Sequence, residues 1–297
     1  MIFPKISIIT PNFNGGEFLE ETIVSILSQN YPNLEYIIID GGSTDNSVEI
    51  IKKYESQLAF WVSEPDNGLY DAIQKGLDKS TGEIMAWLNS DDLYHRKSLF
   101  IVAEIFSKFN EINWLQGIPS TLDEEGRIVA IEAMKRWSKL DYYLGNFGWI
   151  QQESTFWRRD LWEKVDSKIN ETMKYAGDLD LWLRFFRHEQ LYTTSALLGG
   201  FRQRSKDQLS LDFLDLYMEE AKSTIYREIT SKIPEKEKKA IELINKYAEK
   251  IKNSDHIFTY YYFHKKYNKK LNLLKEKYFP LPKNLVFDRI QQTFILK

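Results

Sequence analysis

The sequence predicts a mixed α/β fold: a mostly parallel central sheet flanked by helices, followed by a helical C-terminal extension. Short apolar or β-branched runs alternate with segments of helical spacing through the first half, and each run ends in polar residues. Beyond about residue 212, long charged segments of helical spacing take over. We therefore expect one α/β domain at 1–211, with halves at about 1–105 and 106–211, and a helical extension at 212–297.

The N-terminal elements alternate between strand and helix. Strand followed by helix and then strand is typical of parallel pairing, which brings the carboxyl ends of the strands to one edge of the sheet. The predicted strands are 5–10, 34–39 and 60–63, and the predicted helices begin near 18, 46 and 69. Later segments predict a helix at 100–109, a strand at 114–117, a hairpin around 123–126, a helix from Asp178, and helices at 213–230, 234–252 and 258–277.

The central strand ends in the sequence MAWLNSDD at residues 85–92. Open α/β sheets bind ligands at the carboxyl ends of their strands. Two adjacent carboxylates, Asp91 and Asp92, repel each other unless a cation lies between them, and hard oxygen ligands suit Mg²⁺ or Mn²⁺ shared with a substrate phosphate. The alternative is that Ser90 or Asp91 caps a helix beginning near Leu93, with Asp92 in its first turn. These residues alone leave both open.

Composition narrows the function classes. The chain has no cysteine, which excludes disulfides and thiolate chemistry. The net charge is −3, but fourteen lysines face six acids between Lys232 and Lys283, a net charge of +8 that leaves −11 for the remainder. An acidic body argues against general nucleic-acid binding. The N-terminus lacks a signal-peptide pattern and no apolar run approaches the roughly 20 residues of a membrane span, so we expect a cytoplasmic protein.

Two glycine pairs follow the first two strands, at Gly15-Gly16 and Gly41-Gly42. Neither lies in a dinucleotide-binding or P-loop fingerprint. Asp40, at the end of the second strand, can accept hydrogen bonds from a base or a ribose, or it can brace the adjacent glycine turn. Asp66 and Asn67 precede a predicted helix and are expected beside the acidic strand.

Four ordered segments, ITPNFN, QNYPNLEYIIIDGGSTD, SEPDNGLYDAIQKG and TGEIMAWLNSDD, together resemble the family-2 glycosyltransferases of the GT-A fold, especially bacterial members that build polysaccharides. The resemblance covers roughly residues 5–210 and implies a nucleotide-binding first half and an acceptor-binding second half. It implies a nucleotide site formed by Thr10, Pro11, Asn12, Asn14 and Asp40, with Asp66 and Asn67 nearby. The D-x-D element of the family falls on Asn89-Ser90-Asp91, so Asn89 is expected to contact ribose or phosphate, and Asp91 and Asp92 to bind Mg²⁺ or Mn²⁺.

The second half carries the acceptor-side resemblance. IQQESTFWRR at 150–159 resembles the segment in front of the acceptor pocket and contributes Gln152 and Glu153. Trp149 beside it is a candidate for stacking on a sugar, although a half-buried core role is the commoner fate of a tryptophan. YAGDLDLWLRF resembles the family motif E-D-x-D-L-W-L-R, whose aspartate before the helix is the general base. That position is Asp178, with Asp180 as runner-up.

Two residues of the second half differ from the family pattern, and a basic loop resembles a further family segment. Gly177 stands where the family usually has glutamate, and from spacing alone Asp178 is equally a helix cap. FRQRSKDQLS at 201–210 resembles the loop that closes over the donor diphosphate, with Arg204 where relatives often have histidine. Arg202, Arg204 and Lys206 can bond phosphate, or they can form a solvated loop.

The resemblance implies an inverting glycosyltransferase of the hexosyltransferase type, with an aspartate base, a nucleotide-diphosphate sugar donor, by family habit UDP-linked, and a glycan or lipid-linked saccharide acceptor. Because Asn89, Gly177 and Arg204 depart from pattern, a catalytically silent nucleotide-sugar-binding protein is the alternative. A sugar-phosphate nucleotidyltransferase is less favoured, since residues 12–16 lack a basic activating loop. The tyrosine- and lysine-rich stretch at 260–270 is expected to pack its rings inward, with peripheral membrane contact as the alternative.

Overall fold

The computed structural model describes residues 3–145, 148–206, 208, 212–253 and 257–297. The strands are β1 (Ile6–Asn12), β2 (Leu34–Asp40), β3 (Phe60–Ser63), β4 (Ile84–Trp87), β5 (Leu93–Tyr94), β6 (Trp114–Gln116), β7 (Ser120–Leu122), β8 (Ile128–Ile131), β9 (Thr155–Arg158), β10 (Tyr192–Thr193), β11 (Gly199–Arg202), β12 (Leu285–Asp288) and β13 (Thr293–Leu296). The α-helices are α1 (Leu19–Leu27), α2 (Ser47–Tyr54), α3 (Leu69–Lys79), α4 (Ser98–Lys108), α5 (Lys139–Tyr143), α6 (Arg159–Lys164), α7 (Gly177–Phe186), α8 (Leu214–Ser231), α9 (Glu235–Lys252) and α10 (Ile257–Tyr278).

The central sheet has seven strands in the order β10-β6-β9-β4-β1-β2-β3. Strand β1 pairs in parallel with both β2 and β4, and β2 pairs in parallel with β3. Every residue of β1 is buried, as expected for a strand covered by helices on both faces. The predicted parallel half of the sheet is therefore confirmed, and Asn12 lies opposite Asp40 at its carboxyl edge.

The other half of the sheet is antiparallel around β9, which pairs with β4 and β6. Four fully buried indole rings pack where this half meets α7. Trp182 of α7 stacks on Trp87 with ring centroids 5.8 Å apart and on Trp114 at 5.4 Å, and it meets Trp157 edge-on at 5.9 Å. Aromatic packing of this kind adds to the energy of apolar burial, so α7 is fixed beneath the strand ends.

One local prediction is wrong. No helix begins near Leu93, because Leu93 and Tyr94 form β5, which pairs antiparallel with Gly200 and Gly199 of β11. The next helix, α4, starts at Ser98. The interpretation of Ser90 or Asp91 as a helix cap is thereby contradicted.

The C-terminal extension contains the three predicted long helices and ends in a hairpin that the sequence analysis did not predict. Strands β12 and β13 pair antiparallel, and the hairpin returns to the α/β domain. Leu285 bridges to Thr194, and Lys108 Nζ donates to the Phe294 carbonyl at 2.8 Å. Within the described ranges, no helix combines the length and apolar character needed to cross a membrane.

Candidate active site

The loop after β1 and the acidic loop after β4 lie directly against each other. A Cβ added at Gly15 would stand 2.3 Å from Asn12 Oδ1 and 2.7 Å from Ser90 Oγ, so a larger residue at this position would force these two side chains to shift. The Thr22 hydroxyl in α1 donates to the carbonyls of Ser90, at 2.9 Å, and Asp92, at 2.8 Å. The two loops therefore pack together at the carboxyl edge of the sheet.

Asp40 is buried at this edge, and protein groups occupy its carboxylate. It accepts hydrogen bonds from Asn12 Nδ2 at 2.6 Å, from Ser63 Oγ at 2.6 Å, and from Ser43 through its N–H at 2.9 Å and its hydroxyl at 2.5 Å. Burial raises the pKa of Asp40, but these hydrogen bonds outweigh it and hold the pKa below the usual value. The carboxylate is thus ionised and braces the glycine turn, the alternative role considered for it.

The other predicted nucleotide-site residues divide into buried and rim positions. Thr10 and Pro11 are buried within β1, and Thr10 Oγ1 accepts a hydrogen bond from Tyr36 at 3.1 Å. Asn14 is exposed, and its Oδ1 accepts from the Thr44 N–H at 2.8 Å. Asn12 is buried, yet its Oδ1 has no hydrogen-bond partner among protein groups. Asn14 thus lies at the exposed rim, whereas Asn12, Thr10 and Pro11 are buried.

Asp66 and Asn67 lie on the far side of the same turn. A Cβ at Gly41 would meet Asp66 Oδ2 at 2.6 Å, so this carboxylate lies over the turn that Asp40 braces. Asn67 is exposed, and its N–H donates to Asp71 at 2.8 Å.

Phe13, for which the sequence predicts no role, is 65% exposed at this rim. The sequence feature that could have indicated a role for Phe13 is its place between two asparagines in a loop that contains glycines.

The two adjacent acids after β4 point in different directions. Asp92 is buried, and its Oδ1 accepts the Arg202 N–H at 2.9 Å while its Oδ2 accepts Asn89 Nδ2 at 3.2 Å. Burial, with Asp91 and Glu153 nearby, raises the pKa of Asp92 well above its usual value. Asp91 is partly exposed, and its Oδ2 lies 3.1 Å from Arg204 Nε. Asp91 is therefore the more exposed of the two acids.

Glu153 links this acid pair to Asp178. Its side chain is buried, and Oε1 has no hydrogen-bond partner. Burial raises the pKa of Glu153 to about 8, with further contributions from Asp91 and Asp178. Carboxylates of three separate segments thus lie within electrostatic reach of one another, and the raised pKa favours the protonated form of Glu153 at neutral pH.

Asp178 lies in the first turn of α7, partly exposed as a residue but with its Oδ1 buried and without a hydrogen-bond partner. Burial raises the pKa of Asp178 to about 6. The runner-up, Asp180, is instead ion-paired with Arg184 at 2.9 Å. Of these two acids, Asp178 is the one with a buried carboxylate oxygen that has no hydrogen-bond partner.

Gly177 departs from the family motif because an aromatic ring fills the space beside it. A Cβ there would lie 2.7 to 2.8 Å from three atoms of the Tyr70 ring, which is buried. The Tyr70 hydroxyl also donates to the Tyr175 carbonyl at 2.9 Å. Tyr70 therefore excludes a side chain at 177 and supports the segment before Asp178.

The acceptor-side candidates Trp149 and Gln152 differ in their exposure to solvent. Trp149 is 53% exposed, and its ring lies 4.6 Å from that of Tyr217 in α8. Gln152 is buried, and its Nε2 donates to the Trp87 carbonyl at 2.5 Å, while its Oε1 has no partner. Trp149 thus offers a ring face to solvent, and Gln152 supports the end of β4.

Residues 7–175 match the family model described as glycosyl transferase family 2. The chain belongs to this family. The match ends three residues before Asp178.

Two kinds of relative extend the comparison. An uncharacterized glycosyltransferase of Rickettsia typhi is 27% identical over 194 residues, which is 64% of this chain and 61% of that relative's length. The fold of S. aureus TarS 1–349 in complex with UDP-GlcNAc is similar, with a TM-score of 0.63 and 18% identity over 92% of this chain and 80% of that one. The mannosyltransferase PcManGT of Pyrobaculum calidifontis, in complex with GDP-Man and Mn²⁺, gives a TM-score of 0.51 and 15% identity over 92% and 74%. The TarS likeness confirms the predicted GT-A fold.

In this family-2 chain, the three basic residues of the 201–206 segment have different roles. Arg202 is fully buried and donates to the carbonyls of Asp91, at 2.6 Å, and Glu124, at 2.5 Å. The Arg202 guanidinium therefore forms its hydrogen bonds with other protein groups. Lys206 is exposed, and Arg204 contacts Asp91.

The acidic side chains at this edge offer few ligands for a metal ion. Within the described ranges, no group of three or more histidine or acidic side chains is arranged to hold an ion. Mg²⁺ and Mn²⁺ do not require such a group, because they are commonly held by one or two carboxylates together with substrate phosphate and water. Asp91, which is partly exposed and has Arg204 Nε 3.1 Å from its Oδ2, can supply one such carboxylate.

Proposed function

We propose that this chain is an inverting glycosyltransferase of the hexosyltransferase type that moves a sugar from a UDP-sugar to a hydroxyl of a glycan or lipid-linked saccharide. The observation that carries the proposal is the Asp178 carboxylate, whose buried Oδ1 has no hydrogen-bond partner, in one electrostatic cluster with Glu153 and Asp91. Family membership supports glycosyl transfer, and the UDP-GlcNAc in the TarS structure supports UDP as the carrier.

In the proposed reaction, Asp178 accepts the proton of the acceptor hydroxyl. The hydroxyl oxygen forms a bond to the anomeric carbon on the face opposite the diphosphate, the bond from that carbon to the diphosphate oxygen breaks, and UDP leaves. A single displacement inverts the configuration. A pKa of about 6 leaves Asp178 ionised at neutral pH yet more basic than an exposed aspartate. Glu153, protonated, would donate a hydrogen bond to the bound sugar.

Asp91 and Arg204 are the proposed contacts of the leaving diphosphate. Arg204 can bond phosphate oxygens through its planar guanidinium. Asp91 would hold Mg²⁺ or Mn²⁺, which when bound supplies Lewis-acid stabilisation of the charge on the leaving group. The Mn²⁺ in the PcManGT structure supports this choice of ion. Asp92 and Asn89, bonded to each other, would orient the loop that carries Asp91.

The base and ribose of the donor are proposed to lie against the first loop. The exposed ring of Phe13 would stack on the base, because every nucleobase offers a π face. The unpaired oxygens of Asn12 and Asn89 would accept hydrogen bonds from the nucleotide, and Asp66 would lie beside the base. On the acceptor side, Trp149 would stack on a sugar ring.

The test is a turnover assay with Mn²⁺ and a panel of UDP-, GDP- and dTDP-sugars. Slow hydrolysis that releases UDP supports the proposal. Pyrophosphate-dependent exchange would instead identify a nucleotidyltransferase, and binding without turnover would identify a silent nucleotide-sugar-binding protein.

We further propose that the protein is cytoplasmic and that its basic C-terminal helices contact an anionic membrane surface. Tyr267 packs inward on Tyr247, with ring centroids 4.8 Å apart, but Tyr262 remains 58% exposed on the same helix as the lysine cluster. Anionic lipids attract basic segments by roughly 1 kcal/mol per lysine near the surface. Sedimentation with anionic but not neutral vesicles, reversed by salt, is the expected result, and equal partitioning to both would contradict it.

A further inference from the structure

Three successive backbone N–H groups before α7 bond to one carboxylate from the C-terminal extension. Glu220 in α8 accepts from Lys174 at 3.0 Å, from Tyr175 at 2.9 Å and from Ala176 at 3.0 Å. Ala176 is the N-cap residue of α7 and provides no side-chain cap. Consecutive N–H groups form an anion-binding concavity, and a helix N-terminus favours negative charge. Glu220 therefore holds the segment that leads into α7 from a different helix.

Helix α8 is also attached to the other end of α7. Arg187, the C-cap residue of α7, donates from Nε to Glu228 Oε1 at 2.7 Å and from Nη2 to the second oxygen. Glu228 is eight residues beyond Glu220, a rise of about 12 Å along a helix. Between them, Ala221 and Ile225 are buried. The two helices thus lie side by side, joined at both ends.

The position of Asp178 depends on its backbone. A base must leave an oxygen free for the acceptor hydroxyl, and Asp178 Oδ1 has no hydrogen-bond partner to hold it. Tyr70 supports the preceding segment from one side, and Glu220 holds it from the other. Neither of these residues is adjacent to Asp178 in the sequence.

We infer that Glu220 is a positioning residue for Asp178, so that α8, which lies outside the family match to residues 7–175, belongs to the catalytic unit. The inference rests on the proposed role of Asp178 as the base. Glu220 itself contacts neither reacting group. Misplacing a base by about 1 Å can lower turnover by roughly 100-fold, so we expect an effect of up to this size when Glu220 is removed.

The experiment compares Glu220→Ala and Glu220→Gln with two controls in the full chain. Glu219→Ala removes an exposed neighbour, and Glu228→Gln breaks the distal ion pair. Glu220→Ala is expected to lower kcat by about 10- to 100-fold. Glu220→Gln, whose amide oxygen still accepts hydrogen bonds, should recover part of it. The Kd for UDP should stay within about twofold, because the donor loops are untouched. Hydrogen exchange at the amides of 174–176 should accelerate most in Glu220→Ala, less in Glu220→Gln, and not in the two controls.

Stability is measured alongside, since a merely structural role would lower kcat in step with Tm. Glu228→Gln is expected to lower Tm at least as much as Glu220→Ala while kcat stays within about threefold. The inference is overturned if Glu220→Ala keeps the parental kcat, if its 174–176 amides exchange at the parental rate, or if kcat follows Tm across all four variants. Asp178→Asn, assayed in parallel, separates the two claims. Parental turnover by Asp178→Asn contradicts the base assignment, whereas an inactive Asp178→Asn with an unimpaired Glu220→Ala contradicts only the positioning role.

Discussion

Replacing Asp178 by asparagine is expected to stabilise the folded protein at neutral pH. Burial raises the pKa of Asp178 from 3.8 to about 6, so the folded state binds this proton more tightly than the unfolded state does. The charged form therefore costs stability. The cost is absent below the unfolded pKa, grows as the pH rises between the two values, and is complete above the folded pKa.

The magnitude follows from the difference between the two pKa values. At about 1.4 kcal/mol per pKa unit, a difference of about two corresponds to about 3 kcal/mol above pH 7 and about half of that at pH 5. This figure is an upper limit, because part of the side chain reaches solvent and asparagine still places a polar group there.

The assay is urea unfolding of the parent and of Asp178→Asn at pH 7.5 and pH 5. We expect the variant to be more stable by about 1–3 kcal/mol at pH 7.5, with a gain about 1 kcal/mol smaller at pH 5. Asp180→Asn is the matched control, because the same substitution two residues away breaks the ion pair with Arg184 and should lower stability. A variant that is less stable than the parent at pH 7.5, or a gain that does not change with pH, would refute the reasoning.

Three further substitutions test the surroundings of the site. Gly177→Ala forces a Cβ to within 2.7 Å of the Tyr70 ring, so urea unfolding should show a loss of about 1–3 kcal/mol. In Gly148→Ala the added Cβ would meet Lys135 Nζ and the Trp137 ring at 3.6 Å, an ordinary van der Waals distance, so this control should lose no stability. Equal stability of both variants would contradict the packing argument. Phe13→Ala should weaken UDP binding by about 5- to 100-fold in calorimetry with little change in Tm, and parental affinity would remove the stacking role. Arg204→Ala removes the cation beside Asp91 and should lower kcat/KM by about 10-fold or more, most strongly at low Mn²⁺. If the loss is the same at every Mn²⁺ concentration, Arg204 and the metal do not share the role of stabilising the diphosphate.

The parallel half of the fold could be predicted because its pattern is local. Each strand from β1 to β3 is followed within a few residues by the helix that covers it, and β3 lies at the predicted residues 60–63. Strand β5 could not be predicted, since Leu93 and Tyr94 become a strand only by pairing with residues more than 100 positions away. The final hairpin carried a usable signal, two β-branched and aromatic runs around a turn, but its docking site at Thr194 is equally remote.

The candidate site likewise has features that the sequence predicted and features that it did not. Motif order and family resemblance named Asp91, Glu153 and Asp178, and the structure brings them into one electrostatic cluster. The sequence did not indicate that Asp92 turns inward, because its partner is the backbone N–H of Arg202, 110 residues away. Nor did it explain Gly177, which depends on a ring in α3. Hydrogen-bond partners and excluded volumes are properties of the assembled fold, so residue type alone did not reveal them.

The most direct test of the account is to measure sugar transfer and UDP affinity together for the parent and for Asp178→Asn. If Asp178 takes the acceptor proton, the variant should retain UDP affinity within about twofold and lose about 100- to 10,000-fold in kcat. Transfer at the parental rate by a variant that still binds UDP would show that another group removes the proton, and the central claim would be wrong.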